Sequence, residues 1–283
     1  MTTKEKLLSL AKNSIVLDIA GEAEYVPGGT RFGGKPDVPE DFQWPYFGEG
    51  PDEDDRLPLA FLAQFDCAEL SAMDDEGLLP DHGLLSMFYD MNAYGYQPED
   101  RGSARVYWFE EPEGLAPTDF PEDLEEEYRF PMVCIDMQAE ASYPRQEEFE
   151  EMFPEETDWK KFYTAESELD IEIPDARSKL LGWPDTVQHA MYRECDLVTR
   201  GYFRGPKGYC KATPQGDEKI SPEELEKADR AIDRWQLLIQ LGPIFGDGFE
   251  FMAGDCGLVY VFIKKDDLAE RKFQNIWAIM QDA

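Results

Sequence analysis

Three glutamines stand out among the residues able to do chemistry. Gln64, Gln188 and Gln240 each lie among apolar neighbours, in the stretches PLAFLAQF, LLGWPDTVQ and WQLLIQL. A buried amide must find partners for two donors and an oxygen. It can do so by tying loop backbone to a sheet, or by lining a cleft and meeting a ligand. Three further residues could share such a cleft: Arg31 in the run Gly28-Gly29-Thr30-Arg31-Phe32-Gly33-Gly34, the indole of Trp44, and Asp255 at a polar turn. Aromatic walls with a few convergent polar groups are how small-ligand sites are built. Arg31, Trp44, Gln64, Gln240 and Asp255 are therefore the candidate ligand-binding set, with the bland alternative that each glutamine serves the loops FGGKP and LLGWP.

Other chemistries have weaker grounds. The glycine-rich run could cradle an anion with its backbone N–H groups, but it lacks the Gly-Lys-Ser/Thr end of a P-loop and the spacing of a dinucleotide fingerprint. Its glycines are read first as positive-φ turn residues. His82 and His189 lie in separate motifs without metal-ligand spacing, and the acidic run at 52–55 lacks the alternation of an EF-hand loop. No metal and no cofactor is expected. Cys195 has His189 six residues before it, which is not one helix face, and Cys256 follows Asp255, where an adjacent carboxylate raises a thiol pKa; both are read as structural. No G-x-S-x-G elbow occurs, and no catalytic residues are assigned.

Composition bounds the setting of these residues. The chain has 283 residues and a formal net charge of −34, from 61 acidic against 27 basic side chains. That charge opposes nucleic acid and anionic membranes as partners and would attract a basic protein. An aromatic share of 13 % argues for a packed core rather than disorder. The N-terminus has no signal-peptide core, and no window holds the ~20 apolar residues that cross a bilayer. Five scattered cysteines fit a reducing compartment, so a cytoplasmic location is expected.

The elements that must position the candidates follow from pattern. An amphipathic helix is expected over 3–13, and strands over 58–65, 84–89, 104–110 and 132–137. Helices are expected near 145–153 and 157–168, then loop over 170–184 and irregular chain over 201–217. Ser221-Pro222-Glu223-Glu224 is a strong helix start, with that helix running to about Arg234. Strands follow over 235–241 and 257–263, then a short helix and a last strand containing Ile276, Ala278 and Met280.

An internal echo joins the two ends of the chain. FGGKP leads to LAFLAQF and then HGLLSMFYD; LLGWP leads to WQLLIQL and then DCGLVYVFI. If both are the same hairpin unit, halves at 28–140 and 176–281 form related sheets within one domain over 1–283, and the shared glutamines come close in space.

The order FGGKP…WP, PLAFLAQFDCAEL, LLPDHGLLSMFYD, LLGWPDTVQ…EC, WQLLIQL, GDCGLVYVFIKKDDL and KFQNIW resembles the YwqG-like family of bacterial proteins, a domain of unknown function, over roughly residues 28–280. One departure is Met252-Ala253-Gly254, where that family leads one to expect an aromatic before the Asp-x-Gly turn. The resemblance implies an α+β fold, here of mixed, mainly antiparallel sheets from two related halves with peripheral helices. It implies no reaction. Two functions remain: a non-catalytic interaction module, inhibitor- or immunity-like, that binds a basic protein; or a small-ligand-binding protein or hydrolase with a polar-aromatic cleft between the halves.

Overall fold

The stretch SIVLDI, with β-branched residues and alternating exposure, forms the strand at the centre of the molecule. Ile15 and Leu17 are buried and Asp18 is exposed, the period-2 pattern of a half-covered strand. In the computed structural model the described residues are 1–48, 56–155, 158–171, 177–206, 208–246 and 248–282, so the acidic run at 52–55 lies outside them. One large sheet dominates. Its strands are β1 (Lys12–Glu22), β2 (Arg31–Phe32), β3 (Ala60–Asp66), β4 (Leu84–Tyr89), β5 (Ala104–Phe109), β6 (Val133–Ser142), β7 (Ser178–Leu181), β8 (Trp235–Leu241), β9 (Leu258–Lys264) and β10 (Trp277–Gln281).

Their spatial order is β10-β9-β8-β7-β1-β6-β2-β3-β4-β5, with every neighbouring pair antiparallel. From the central β1–β6 pair the two wings run outward in matching fashion. Each wing holds a short strand, then a hairpin of long apolar strands, then an edge strand. The β3–β4 ladder is interrupted between Phe61 and Ala63, and the β8–β9 ladder between Leu237 and Ile239. In both wings this bulge stands just ahead of the glutamine.

All ten strands send residues into one core, from Ile15 and Phe32 to Val261 and Met280, so the sheet curls around it like a nearly closed barrel. The seam is bridged by chain that follows β4. Tyr94 O accepts from Met280 N at 3.0 Å, and Gly95 O accepts from the Trp277 indole at 2.8 Å. Gly95 has φ +80°, and a Cβ there would run into the Ala278 carbonyl, so this approach requires glycine. The outer face of the hairpin in each wing is covered differently. Phe61 and Phe88 lie under Phe42, Trp44 and Phe47. Trp235, Tyr260 and Phe262 lie under Tyr192 and Cys195 of a helix over Tyr192–Thr199.

Helices and antiparallel sheets are both present, with strands holding 34 % of the described residues and helices 23 %, so the sheet carries the architecture. Several expected elements shift. The first helix, α1 (Thr3–Ser9), ends early because Lys12 begins β1. The loop expected over 170–184 contains β7, too short to carry a pattern of its own. The helix over Tyr192–Thr199 and the small hairpin Phe203–Gly205 with Gly208–Lys211 lie where irregular chain was expected or no element was assigned. The Ser221 cap is present, its hydroxyl accepting from Glu224 N at 3.2 Å, but its helix stops at Asp229.

Candidate functional site

Gln64 and Arg31 face each other across β3 and β2 and converge on Asp37. The Gln64 carbonyl accepts from Asp37 N at 3.0 Å, and its amide nitrogen donates to Gly29 O at 2.9 Å and to Asp37 Oδ2 at 3.1 Å. Arg31 Nη1 donates to the same Oδ2 at 3.1 Å, and Gly28 N at 2.8 Å. All three side chains are buried. Burial by itself pushes the Asp37 carboxyl up, but the hydrogen bonds from Arg31, Gly28 and Gln64 outweigh it and hold the pKa below its ordinary value. Each donor and acceptor of the Gln64 amide is used inside the protein.

The second wing repeats this arrangement with other side chains. Gln240 stands opposite Lys179 across β8 and β7. Its carbonyl accepts from Asp185 N at 2.8 Å, and its amide donates to Arg177 O and Asp185 Oδ2, both at 2.8 Å. Lys179 Nζ reaches Asp185 Oδ1 at 2.6 Å and Arg177 Nε reaches Oδ2 at 3.1 Å. Between cation and aspartate, both chains turn through two consecutive left-handed residues, Gly33-Gly34 and Leu181-Gly182. The aspartates follow directly on the motifs FGGKP and LLGWP, and the shared Pro-Asp was the signal that would have found them.

The five sequence candidates therefore do not assemble into one cleft. Gln64 and Gln240 sit in separate wings with β7, β1, β6 and β2 between their strands. Trp44 is half-buried on the outside of the first wing, its indole donating to Leu59 O at 3.0 Å and its ring edge-on to Phe88. Asp255 is exposed in the turn before β9. Gln188 is exposed rather than buried and donates to Asp282 O at 2.6 Å. The buried amide nearby is Gln281, which accepts from Val187 N and Gln188 N.

A cavity of about 480 Å³ does open at a boundary between the wings, lined by other residues. Lys12 and Asn13 of β1, Glu76 from the loop after β3, Gln236 of β8, and Lys265 and Arg271 around the short helix α2 (Lys265–Ala269) border it. Arg271 holds the floor together: Nη2 donates to Leu79 O at 3.0 Å and Nη1 to Leu78 O. Lys265 Nζ donates to Asp233 O at 2.9 Å. Lys12 Nζ lies 3.4 Å from the centre of the Trp183 ring. Burial, reinforced by repulsion from Lys265, pushes its pKa down to about 8 against the pull of Glu76 and Glu148. Gln236 is 8 % exposed and its Nε2 is buried without a hydrogen-bond partner. A buried donor left unpaired costs about 1–3 kcal/mol, so this amide would gain from an acceptor brought within its reach. Three cations and one carboxylate thus ring a cavity in a chain of net charge −34. Sequence reading missed it because Lys12 was assigned to a helix and the cations come from distant segments.

Among the described residues, no helix is long and apolar enough to cross a membrane. No curated protein matches the chain. Residues 30–281, which span the whole sheet except β1 and hold both aspartate–glutamine pairs, match the model of a family described as a domain of unknown function, DUF1963. The chain belongs to that family.

Proposed function

We propose that the protein binds a small anionic ligand in the cavity bordered by Lys12, Gln236, Lys265 and Arg271. The observation that carries this reading is the gathering of three cations and an unpartnered buried amide in an otherwise strongly acidic chain. Charged groups in a partly enclosed site are screened less than exposed ones, so they hold an anion more firmly there. We read the two wings as related halves of one YwqG-like domain, supported by the matched bulges and networks; one β1 face and α2 then create the cavity beside the second half. Titration of inorganic phosphate and of sulfate by calorimetry tests the site. Binding that Lys265→Met and Gln236→Leu each weaken supports it; binding indifferent to both removes it.

A second reading has its own observation. The segment 119–127 exposes Asp119, Glu122, Asp123, Glu125, Glu126 and Glu127. This face would steer a basic protein partner toward a cytoplasmic interaction module. Charge reversal across it should slow association, and association that ignores both reversal and salt would remove this reading.

A further inference from the structure

Resting on the anion-binding reading, we propose that Lys12 is a covalent attachment point in the cavity, forming an imine with a small carbonyl compound that carries an anionic group, such as a 2-oxo acid. Three features of the site support this. The amine borders a cavity large enough for a small metabolite and, among the described residues, contacts the Trp183 ring rather than an oxygen partner. Lys265 stands on the same cavity wall, and a desolvated lysine beside a second cation is the arrangement that frees an amine for nucleophilic attack. Gln236 borders the cavity with a buried amide nitrogen that has no hydrogen-bond partner, and Lys265 adds a charge that a carboxylate would meet. The depressed Lys12 pKa, about 8, agrees with this placement, leaving a sizeable fraction of unprotonated amine near neutrality.

The step balances without a redox partner. The amine lone pair adds to the carbonyl carbon, forming the C–N bond while the C=O π pair moves to oxygen, which takes a proton. The nitrogen loses a proton to give the carbinolamine. Its lone pair then expels the hydroxyl as water on protonation, leaving a protonated imine on Lys12. One water leaves for each imine formed. Removal of a full negative charge from water into this cavity is matched by Lys265 and Arg271, so an anionic carbonyl compound is favoured over a neutral one.

The experiment is reductive trapping. The full chain is incubated with pyruvate and sodium cyanoborohydride near pH 8, and modified lysines are quantified by peptide mass spectrometry. Selective labelling of Lys12, about tenfold or more faster than exposed lysines of ordinary pKa, is expected. Acetone in place of pyruvate should label Lys12 less selectively, because it keeps the gain from the freed amine but loses the attraction of the cavity cations, and Gln236→Leu should reduce selectivity for pyruvate. Labelling of Lys12 at the rate of exposed lysines, or equal selectivity for acetone, overturns the proposal. The phosphate titration separates the two readings: bound phosphate with unselective labelling overturns the covalent step alone, whereas absent phosphate binding removes the cavity reading beneath it.

Discussion

Gln64 and Asp37 exchange two hydrogen bonds, the aspartate N–H to the amide oxygen and the amide N–H to the carboxylate, and this pair closes a loop of chain onto the sheet. Gln240 and Asp185 make the same exchange in the other wing. Because the amide has no unused donor or acceptor, its role is to hold the backbone, not to meet a ligand.

Truncation of either glutamine should therefore cost stability. Gln64→Ala and Gln240→Ala each leave a buried aspartate N–H unpaired and a space unfilled, so each should lower the unfolding free energy by about 2–4 kcal/mol. Their partners do not overlap, so the double variant should show the sum to within about 0.5 kcal/mol. Denaturant titration of the four proteins measures this. A coupling well beyond that margin would mean that the two glutamines share a site after all.

Asp37 should give acid sensitivity. Its carboxyl is held below the ordinary 3.8 in the folded chain, so between the two values the unfolded chain binds the extra proton. The contribution of Asp37 is present above that range and is lost as pH falls through the folded value. Asp37→Asn, which leaves Arg31 buried with a neutral partner, should be less stable than the wild type by about 3–5 kcal/mol at pH 7. The deficit should shrink below about pH 4. A deficit constant with pH would show that the aspartate is held by geometry alone.

The long apolar strands and the Ser221 helix start were legible because pattern and cap chemistry are local. The sheet order was not, because β2 and β7 are too short for any period and are defined only by their neighbours. β1 was hidden by its approach from a helix, although Ile15, Val16, Leu17 and Ile19 carry the branched alternation of a strand. In the networks, Gln64 and Gln240 were visible as odd polar residues in apolar surroundings, and Arg31 as a lone charge in a glycine-rich run. Asp37, Lys179 and Asp185 were lost in a sequence crowded with charge, where composition gives no sign of which charges are buried. The cavity was out of reach for a stronger reason: Lys12, Gln236 and Lys265 belong to one place only once β7 is set between β1 and β8 and β9 beside them.

Closure of that sheet depends on Gly95. Its positive φ and its contact with the Ala278 carbonyl leave no room for a side chain. Gly95→Ala should destabilise the protein by at least about 2 kcal/mol, combining left-handed strain with displacement of the seam. Amide exchange at Met280, whose N–H is bonded to Tyr94 O, should accelerate more than exchange in β1 or β6. Uniform acceleration across all ten strands would instead show that the seam opens only with global unfolding.

Lys12 ties stability and ligand binding to pH with opposite signs. Burial pushes its pKa down to about 8, from 10.5, so between those values the unfolded chain carries the proton that the folded chain has released. Stability from this group therefore rises as pH climbs from about 8 toward 10, and Lys12→Met should flatten that rise in denaturant titrations. A non-covalent anion in the cavity favours the protonated amine, so phosphate affinity should fall as pH passes 8, by up to about tenfold per unit. Lys12→Arg keeps a charge that does not titrate in this range and should bind phosphate with little pH dependence. Affinity that falls equally in wild type and Lys12→Arg would place the titrating group elsewhere, and with it the cation that holds the anion.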